Sequence, residues 1–308
     1  MAEPGYHLPV MVGEVVKYLD CGPGKLFVDA TVGGGGHAAA LLEASGPDGF
    51  LIGIDRDREA LAETEKRLAG YEGRYLLAQG NFGELGSLLD RLGRTGVDGL
   101  LLDLGISSRQ VDDRERGFSF RTEAALDMRM DQGEELTAER LIRESSEKEL
   151  TDIIRTYGEE PRGRAIARAI HRAVEEGGAL TTTGLAETIA AAGGRQPRGR
   201  RWIHPATRTF QALRIAVNRE MEALESVMDQ LPRILSPGGR CCCLSYHSLE
   251  DRIVKNTFRE LAGRGPAKLE AVLEVLTKKP LRPGEEETGR NPRARSARLR
   301  AARKKEGL

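Results

Sequence analysis

The sequence is short of cysteine and of long apolar segments, and each shortage excludes a class of protein. Only four of the 308 residues are cysteines, and three of these are consecutive, so we expect neither a disulfide framework nor a CxxC metal site. No apolar segment approaches the roughly 20 residues that cross a bilayer. The N-terminal residues lack the basic and apolar regions of a signal peptide. These absences predict a cytoplasmic protein whose site contains no metal.

The sequence also lacks net charge, although its charges are unevenly distributed. Lysine plus arginine and aspartate plus glutamate both number 47. Residues 195–219 nevertheless contain seven arginines and no acidic residue, and residues 278–308 contain eleven basic residues against four glutamates. Because clustered arginine is typical of surfaces that bind phosphates, both segments are candidates for contact with a phosphate-rich partner.

The first 105 residues contain a regular alternation of apolar and amphipathic segments. Four short apolar segments predict strands, and they read KLFVDAT, GFLIGIDRD, RYLLAQGNF and VDGLLLDLGIS. The segments between them have helical periodicity. Strands and helices that alternate at this spacing form right-handed βαβ units, so we predict an α/β fold with a parallel sheet.

This alternation stops between residues 111 and 205, where the chain is polar and helical in pattern. It resumes with a long helix and the strand RCCCLSYHS, in which cysteine is interpreted as a small buried hydrophobe. The sequence therefore predicts an α/β domain formed by residues 1–110 and 206–308, interrupted by an all-helical domain at 111–205. From about residue 285 the chain lacks an apolar period, which predicts a basic tail that is extended or disordered.

The segment DATVGGGGHA is compared with three kinds of nucleotide-binding loop. A phosphate-binding P-loop is excluded because no Lys-Ser/Thr pair follows the glycines. A dinucleotide site fits the GxGxxA spacing of Gly33, Gly35 and Ala38. Asp55 then ends the second strand, where an acid can bind ribose hydroxyls. An S-adenosylmethionine site would use the same two features, a glycine loop and an acid after the second strand.

The ends of the predicted strands favour S-adenosylmethionine. Asp29 precedes a loop that is longer than the direct strand-to-glycine turn of a dinucleotide site. Phe82, after the third strand, is placed to stack on an adenine, and Asp103 ends the fourth strand. Ligands of open parallel sheets bind at the carboxyl edge of the strands. We therefore expect the three strand-end acids, the glycine loop and Phe82 to surround one crevice.

Longer motifs carry a resemblance that covers the chain from about residue 6 to about residue 303. They read DATVGGGGH, GIDRD, LLDLGISSRQVDDRERGFSF, LDMRMD, TYGEE, HPATRTFQALRIAVNRE, SYHSLEDRIVK and NPRARSARLR. In these motifs the chain resembles the bacterial ribosomal RNA small subunit methyltransferase H family. The resemblance implies a Rossmann-like methyltransferase fold that uses S-adenosylmethionine to methylate the N4 of a cytosine in the decoding region of 16S rRNA.

The resemblance also implies a set of cofactor-binding residues and a partner. The cofactor-binding residues are Gly35, Gly36, His37, Asp55, Phe82, Asp103 and Gln110. The partner is 16S rRNA within the small ribosomal subunit, and the two basic segments and the helical insertion are candidates to contact it. Aromatic residues make up only 5% of the chain, which argues against an extended stacking platform and favours folded RNA as the substrate.

The chemistry of the reaction points to candidate catalytic residues. The exocyclic amine of cytosine is a poor nucleophile, so methyl transfer requires acceptors that hold its hydrogens. Asp103, followed by Ser107 or Ser108, occupies the position after the fourth strand where many amino-methyltransferases place such acceptors. Here that position reads DLGI, which departs from the usual Pro-Pro-aromatic motif.

A second polar segment and two alternative functions also follow from the sequence. SYHSLEDR contains a serine, a histidine and an acid but no nucleophile elbow, so hydrolase chemistry is not expected. We expect His247 to have a substrate-pocket or structural role and Ser248 to cap a helix. The alternatives are an NAD-dependent dehydrogenase on a Rossmann fold, and a non-catalytic RNA-binding protein with a methyltransferase fold.

Overall fold

The computed structural model describes residues 9–177, 180–193, 204–266 and 270–307. Its strands are β1 (Leu26–Asp29), β2 (Phe50–Asp55), β3 (Tyr75–Gln79), β4 (Val97–Asp103), β5 (Leu235–Ser245), β6 (Leu273–Val275) and β7 (Arg298–Lys304). Its helices are α1 (Val12–Leu19), α2 (Gly36–Ala44), α3 (Arg58–Leu68), α4 (Leu85–Arg91), α5 (Ser108–Asp112), α6 (Ala138–Glu144), α7 (Glu147–Gly158), α8 (Gly163–Glu175), α9 (Thr182–Gly193), α10 (Ala206–Asn218), α11 (Glu220–Ile234), α12 (Ser248–Leu261) and α13 (Glu285–Arg290). Among these described helices, none combines the length and the apolar composition that crossing a bilayer requires.

The chain divides into two compact units. The α/β unit contains the residues up to Ser107 and those from Met221 onward, and the helical unit contains Ser108–Glu220. The α/β unit is therefore discontinuous in sequence, with the helical unit inserted after β4.

The α/β unit is built on one seven-stranded sheet with the order β3-β2-β1-β4-β5-β7-β6. Strands β1 to β5 pair in parallel, whereas β7 runs antiparallel to both β5 and β6. The antiparallel strand distinguishes this sheet from the 3-2-1-4-5-6 order of dinucleotide-binding domains. The predicted Rossmann-like α/β class with an all-helical insertion is confirmed.

Helices cover both faces of the sheet, so residues along each strand alternate between two hydrophobic cores. Helices α4, α11 and α12 form the first core with one face, and α1, α2 and α3 form the second core with the other. The consecutive cysteines follow this alternation. Cys241 and Cys243 belong to the first core and Cys242 to the second, and all three are buried. The prediction that they act as small hydrophobes in a buried strand is confirmed.

The helical unit is organised around α7, which packs against both α8 and α10. Ser146 begins α7 with a capping box, in which its side chain and that of Glu149 each bind the other's backbone N–H. Helix α8 buries Ile166, Ala167 and Ile170 on one side. Apart from an isolated bridge between residues 125 and 181, the described part of this unit forms no β-structure.

The second boundary of the insertion differs from the prediction. The sequence predicts a return to the α/β domain at residue 206, whereas α10 belongs to the helical unit and the return occurs at Met221. The single long helix that the pattern predicts is broken at Arg219, whose φ of 49° is left-handed. Helix α10 packs on α7 and α9. Apolar periodicity predicts a helix but does not show which unit its apolar face contacts. The pattern therefore cannot place the second boundary of the insertion.

The prediction of an extended or disordered basic tail is wrong for the described residues. This segment contains α13, a 3₁₀ turn at Pro292–Ser296 and strand β7, which lies between β5 and β6. In β7, Leu299 and Ala301 are buried, while Arg300 pairs with Asp251 at 2.7 Å. In the sequence, arginines that alternate with small apolar residues resemble a solvated segment. The acids that neutralise these arginines are distant in sequence, so the local pattern does not predict a strand.

Candidate functional site

The carboxyl edge of the sheet carries an acid at the end of each of three adjacent strands. Strands β2, β1 and β4 end at Asp55, Asp29 and Asp103, respectively. Asp29 pairs in register with Gly53 and Leu101, so the other two acids lie two residues further along their strands. Side chains two residues apart in a strand share a face. All three carboxyl groups therefore lie on the face of the sheet that packs on the second core. Asp29 lies between the other two and two residues further from the edge.

Asp29 is the most enclosed of the three acids. Its side chain is only 1% exposed, and its Oδ1 accepts a hydrogen bond of 3.2 Å from the backbone N–H of Thr31. Its Oδ2 is buried without a hydrogen-bond partner. Burial, together with the negative charges of Asp103 and Asp55, raises the pKa of Asp29 to about 8. In the ligand-free protein this carboxyl group therefore holds a proton at neutral pH.

Asp55 fixes the first part of the glycine loop. Its Oδ2 accepts a hydrogen bond of 2.9 Å from the backbone N–H of Gly33, and its Oδ1 accepts one of 2.9 Å from that of Asp57. Burial raises the pKa of Asp55 to about 6, and the hydrogen bonds from these two N–H groups oppose that shift. Asp57 in turn caps α3 by accepting from the N–H of Glu59. The acid that follows β2 thus anchors the loop that follows β1.

The glycines of the loop are required for two different reasons. Gly35 has a φ of 75°, and a Cβ there would lie 3.0 Å from Thr64. Gly36 has ordinary geometry, but a Cβ there would lie 3.0 Å from the ring of Pro9. The loop is therefore packed on α3 and on the N-terminal segment, and α2 begins at Gly36.

His37 connects the N-terminal segment to β4. Its Nε2 lies 2.9 Å from the carbonyl oxygen of Val10, and because a carbonyl only accepts, this nitrogen carries a hydrogen. The other ring nitrogen, Nδ1, lies 3.5 Å from Oδ2 of Asp103. His37 therefore lies between the N-terminal segment and the carboxyl group that ends β4.

Besides its contact with His37, Asp103 forms two hydrogen bonds. Its backbone N–H donates to Oγ1 of Thr31 at 2.7 Å, and its Oδ1 accepts from the hydroxyl of Tyr246 at 2.7 Å. Burial and the nearby carboxylate raise the pKa of Tyr246 well above its ordinary value, so the phenol stays protonated and donates. The backbone N–H of Tyr246 itself donates to Glu250 at 2.7 Å.

Two of these residues were missing from the predicted site. Thr31 and Tyr246 both bind Asp103. Each lies inside a motif that the sequence singles out, DATVGGGGHA and SYHSLEDR respectively, but no spacing within these motifs marks it as a partner of Asp103. The signal for Tyr246 is its position directly after β5, the neighbour of β4, at the same edge of the sheet. Asp29 was predicted to lie at the crevice, but its depth follows only from the register of β1.

The remaining predicted residues lie in different environments. Phe82 begins a 3₁₀ turn after β3 and is half-buried against the first core. Ser107 is half-buried at the end of the α/β unit, and Gln110 is buried in α5 of the helical unit. The predicted cap at Ser248 is wrong by one residue. His247 caps α12, with its ring accepting from the N–H of Glu250, so Ser248 is the first helical residue.

The electrostatics of this edge favour a cationic ligand. None of the described lysines or arginines forms an ion pair with Asp29, Asp55 or Asp103. A pyrophosphate would bring two more negative charges beside these acids, whereas a positively charged group would be attracted to their ionised carboxylates. The charges at this edge therefore favour a cationic group over the pyrophosphate of a dinucleotide.

Comparison with known proteins gives matches along nearly the whole chain. A family model described as the MraW methylase family matches residues 5–305. The protein named ribosomal RNA small subunit methyltransferase H from Syntrophobacter fumaroxidans is 47% identical, over 98% of this chain and 98% of the relative. Its namesake from Geobacter sulfurreducens is 49% identical, over 97% of this chain and 98% of the relative.

Solved structures are less similar. A structure described as an rRNA methylase from Streptococcus thermophilus aligns with a TM-score of 0.40 and 14% sequence identity. The alignment covers 96% of this chain and 92% of that chain. A likeness of this size has no bearing on activity.

Proposed function

The chain belongs to the MraW methylase family, and from this premise we propose that it methylates the exocyclic N4 of a cytosine in the decoding region of 16S rRNA. The cofactor is S-adenosylmethionine. The observation that carries the assignment to this site is the set of three carboxyl groups, Asp29, Asp55 and Asp103, at the edge of adjacent strands with no paired lysine or arginine among the described residues.

The residues present at this edge fit S-adenosylmethionine. Its sulfonium and ammonium groups are cationic, which matches the three acids and the orphaned Oδ2 of Asp29. When bound, the cofactor supplies an electrophilic methyl group. We assign its binding to the glycine loop and to the residues that follow the strands of the α/β unit, namely Gly35, Gly36, His37, Asp55, Phe82 and Asp103. Gln110 belongs to the helical unit, and its role stays a prediction from the family resemblance. We propose that Asp55 accepts from ribose hydroxyls and that Phe82 contacts the adenine.

Asp103 is also our candidate acceptor for the amine of the target cytosine. Its Oδ1 is held by Tyr246 and its Oδ2 faces His37, so the carboxylate has a fixed orientation. A carboxylate offers about four acceptor positions, which leaves room for an N–H of the substrate. Ser107, a few residues further along the chain, is the second candidate. Holding both amine hydrogens lets the nitrogen become more tetrahedral and more nucleophilic, and the proton lost after transfer leaves to an acceptor or to solvent.

The helical unit is our candidate for binding the RNA that flanks the target. Helix α8 presents Arg164, Arg168 and Arg172, spaced four residues apart and exposed, on the side opposite its buried residues. At a rise of about 1.5 Å per residue these positions lie about 6 Å apart in one row. Arg164 and Arg168 share one acid, Glu147, in long ion pairs of 3.9 and 3.7 Å, and both arginine side chains remain exposed. The exposed row is our candidate contact for phosphate oxygens.

The structure describes the arginines of one predicted basic segment, and most arginines of the other lie outside the described residues. In β7, Arg298 and Arg300 pair with Asp251, and Arg303 pairs with Glu274, so these side chains are engaged within the α/β unit. Arg195, Arg198, Arg200 and Arg201 lie outside the described residues. We keep that segment as a candidate RNA contact because its arginines are clustered in the sequence between α9 and α10.

The substrate that fits these features is folded rRNA in the small ribosomal subunit, which would place the reaction in the cytoplasm. The target base must be unpaired or leave its stack to reach the methyl group. To test this, small subunits that lack the modification are incubated with the protein and methyl-labelled S-adenosylmethionine. Incorporation of label into 16S rRNA supports the proposal. Binding of the cofactor without incorporation would instead favour a non-catalytic RNA-binding protein, and a spectral change with NAD would favour a dehydrogenase.

A further inference from the structure

We propose that Asp29 releases a proton when S-adenosylmethionine binds, and that its carboxylate makes the site prefer the sulfonium cofactor to the uncharged thioether of S-adenosylhomocysteine. This inference rests on the proposed function, because it requires S-adenosylmethionine to bind at the carboxyl edge of the sheet. It assigns Asp29 a role in specificity that differs from holding the ribose or the substrate amine.

The geometry gives Asp29 a position that no other acid at this edge shares. Its register places it two residues deeper than Asp55 and Asp103, between the strands that carry them. Asp55 is satisfied by two backbone N–H groups and Asp103 by a tyrosine hydroxyl. Asp29 is 1% exposed and has one oxygen, Oδ2, with no partner. Burying a carboxyl oxygen without a hydrogen-bond partner costs free energy. A cation that binds beside this oxygen would remove that cost.

The groups that face Asp29 explain why it is protonated in the absence of ligand. Asp55 from β2 and Asp103 from β4 both place negative charge near it, and burial adds to their effect, raising the pKa of Asp29 to about 8. The opposing contribution is local, from the backbone N–H and the side chain of Thr31. His37 from α2 and Tyr246 after β5 are directed at Asp103 instead.

A cation that enters this site reverses the balance. An opposite charge near a carboxyl group favours the ionised form, so the proton of Asp29 passes to solvent and the carboxylate remains as the counter-charge. S-adenosylhomocysteine has the same ribose, adenine and amino acid as the cofactor but lacks one methyl group and one positive charge. The difference between the two ligands therefore isolates the effect of the sulfonium on Asp29.

The experiment counts protons by titration calorimetry. The two ligands are titrated into the full-length protein at pH 7.0 in buffers with different ionisation enthalpies. At this pH, α-amino groups are still largely protonated and Asp55 is already largely ionised. We expect close to one proton released per S-adenosylmethionine bound and much less for S-adenosylhomocysteine. Between pH 6 and 7, the affinity for S-adenosylmethionine should rise by up to about tenfold, while that for S-adenosylhomocysteine should rise less.

The variant Asp29→Asn keeps the shape of the side chain and removes its titration. It should release little or no proton with either ligand and should lose most of the preference for S-adenosylmethionine. Asp90→Asn is the matched control, because Asp90 is an exposed acid that pairs with Arg233 on the surface. This variant makes the same substitution at an aspartate outside the site and should behave like the wild type.

Each outcome decides the matter. Equal proton release with both ligands in the wild-type protein contradicts the inference without any variant, so it remains testable even if Asp29→Asn folds poorly. Undiminished release in Asp29→Asn assigns the proton to another group and also overturns it. Failure of both ligands to bind contradicts the proposed cofactor site itself, and the inference falls with it. Methyl transfer to 16S rRNA combined with equal proton release would overturn the role of Asp29 alone.

Discussion

The hydroxyl of Tyr246 donates a hydrogen bond of 2.7 Å to Oδ1 of Asp103, joining the ends of two neighbouring strands. Tyr246 follows β5 and Asp103 ends β4, so the bond spans 143 residues of sequence and the entire helical insertion. Because the phenol stays protonated, it acts as a permanent donor to the carboxylate. The acid that we assign to both cofactor and substrate is therefore oriented by a residue outside its own motif.

We expect Tyr246→Phe to lower kcat by about tenfold or more, because the carboxylate of Asp103 loses the donor that orients it. Hydrogen bonds to charged groups contribute roughly 1.5–3 kcal/mol, and about 1.4 kcal/mol corresponds to a factor of ten in rate. The measurement is kcat at saturating S-adenosylmethionine.

Tyr71→Phe is the control for this prediction, since Tyr71 is half-buried in the same core and its ring lies beside Arg74. It should leave kcat unchanged. An equal loss of kcat in the two variants, or none in Tyr246→Phe, would contradict the role assigned to the Tyr246 hydroxyl.

We expect Gly35→Ala to weaken cofactor binding and to destabilise the α/β unit. The residue has a φ of 75°, and the new Cβ would meet Thr64 at 3.0 Å. A left-handed conformation costs a non-glycine residue about 1–2 kcal/mol before the clash is counted. Thermal unfolding and the Kd for S-adenosylmethionine measure the two effects. Gly70→Ala is the matched control, because a Cβ there would meet nothing within 4 Å. Equal behaviour of the two variants would contradict the assigned role of the loop.

We expect the stability of the ligand-free protein to depend on the ionisation of Asp29. The pKa of Asp29 is about 8 in the folded protein, and about 3.9 for an unperturbed aspartate. Between these values the folded state binds more protons than the unfolded state. The free energy of unfolding should therefore fall as pH rises, by up to about 1.4 kcal/mol per pH unit for this group, and level off above its folded pKa.

Denaturant unfolding of wild-type protein and Asp29→Asn at several pH values between 5 and 8 measures this effect. The variant should gain stability relative to the wild type as pH rises across this interval. Asp55 titrates in both proteins, so its contribution largely cancels in the difference. Two curves that stay parallel across this range would show that Asp29 is ionised in the free protein.

We expect the triple substitution of Arg164, Arg168 and Arg172 by Gln to weaken RNA binding and to reduce its salt dependence. Each lost phosphate contact lowers the slope of log K against log salt by roughly 0.7–0.9, so three contacts would remove about 2–3. Fluorescence anisotropy with 16S rRNA fragments at several salt concentrations measures this slope.

The matched control removes three positive charges from other helices of the same unit. Arg140, Arg143 and Lys148 are exposed, and each pairs with an acid on its own helix. Their triple substitution by Gln should change the slope much less. An equal loss in both variants would indicate attraction by net charge instead of binding along α8.

The sequence predicts the parallel half of the sheet well because its strands obey local rules. Each of β1 to β4 is a short apolar segment followed by a turn, and parallel pairing brings their ends, with Asp29, Asp55 and Asp103, to one edge. Strand β7 could not be predicted in this way. Its arginines resemble a solvated tail until Asp251 and Glu274 are seen beside them.

The parts of the site that escaped prediction depend on register and on contacts distant in sequence. The depth of Asp29 follows from its pairing with Gly53 and Leu101, which no local pattern specifies. The bond from Tyr246 to Asp103 follows from the neighbouring positions of β4 and β5. The family resemblance names candidate cofactor-binding residues, but the arrangement that orients them requires the three-dimensional structure.

The most direct test of the central claim is the chemical identity of the methylated nucleoside. Small subunits that lack the modification are treated with the protein and methyl-labelled S-adenosylmethionine, and the 16S rRNA is digested to nucleosides and separated by mass spectrometry. We predict that the label appears as N4-methylcytidine, in a fragment from the decoding region, and that Asp103→Ala reduces it strongly at saturating cofactor. Label in another nucleoside, or none at all, would contradict the account.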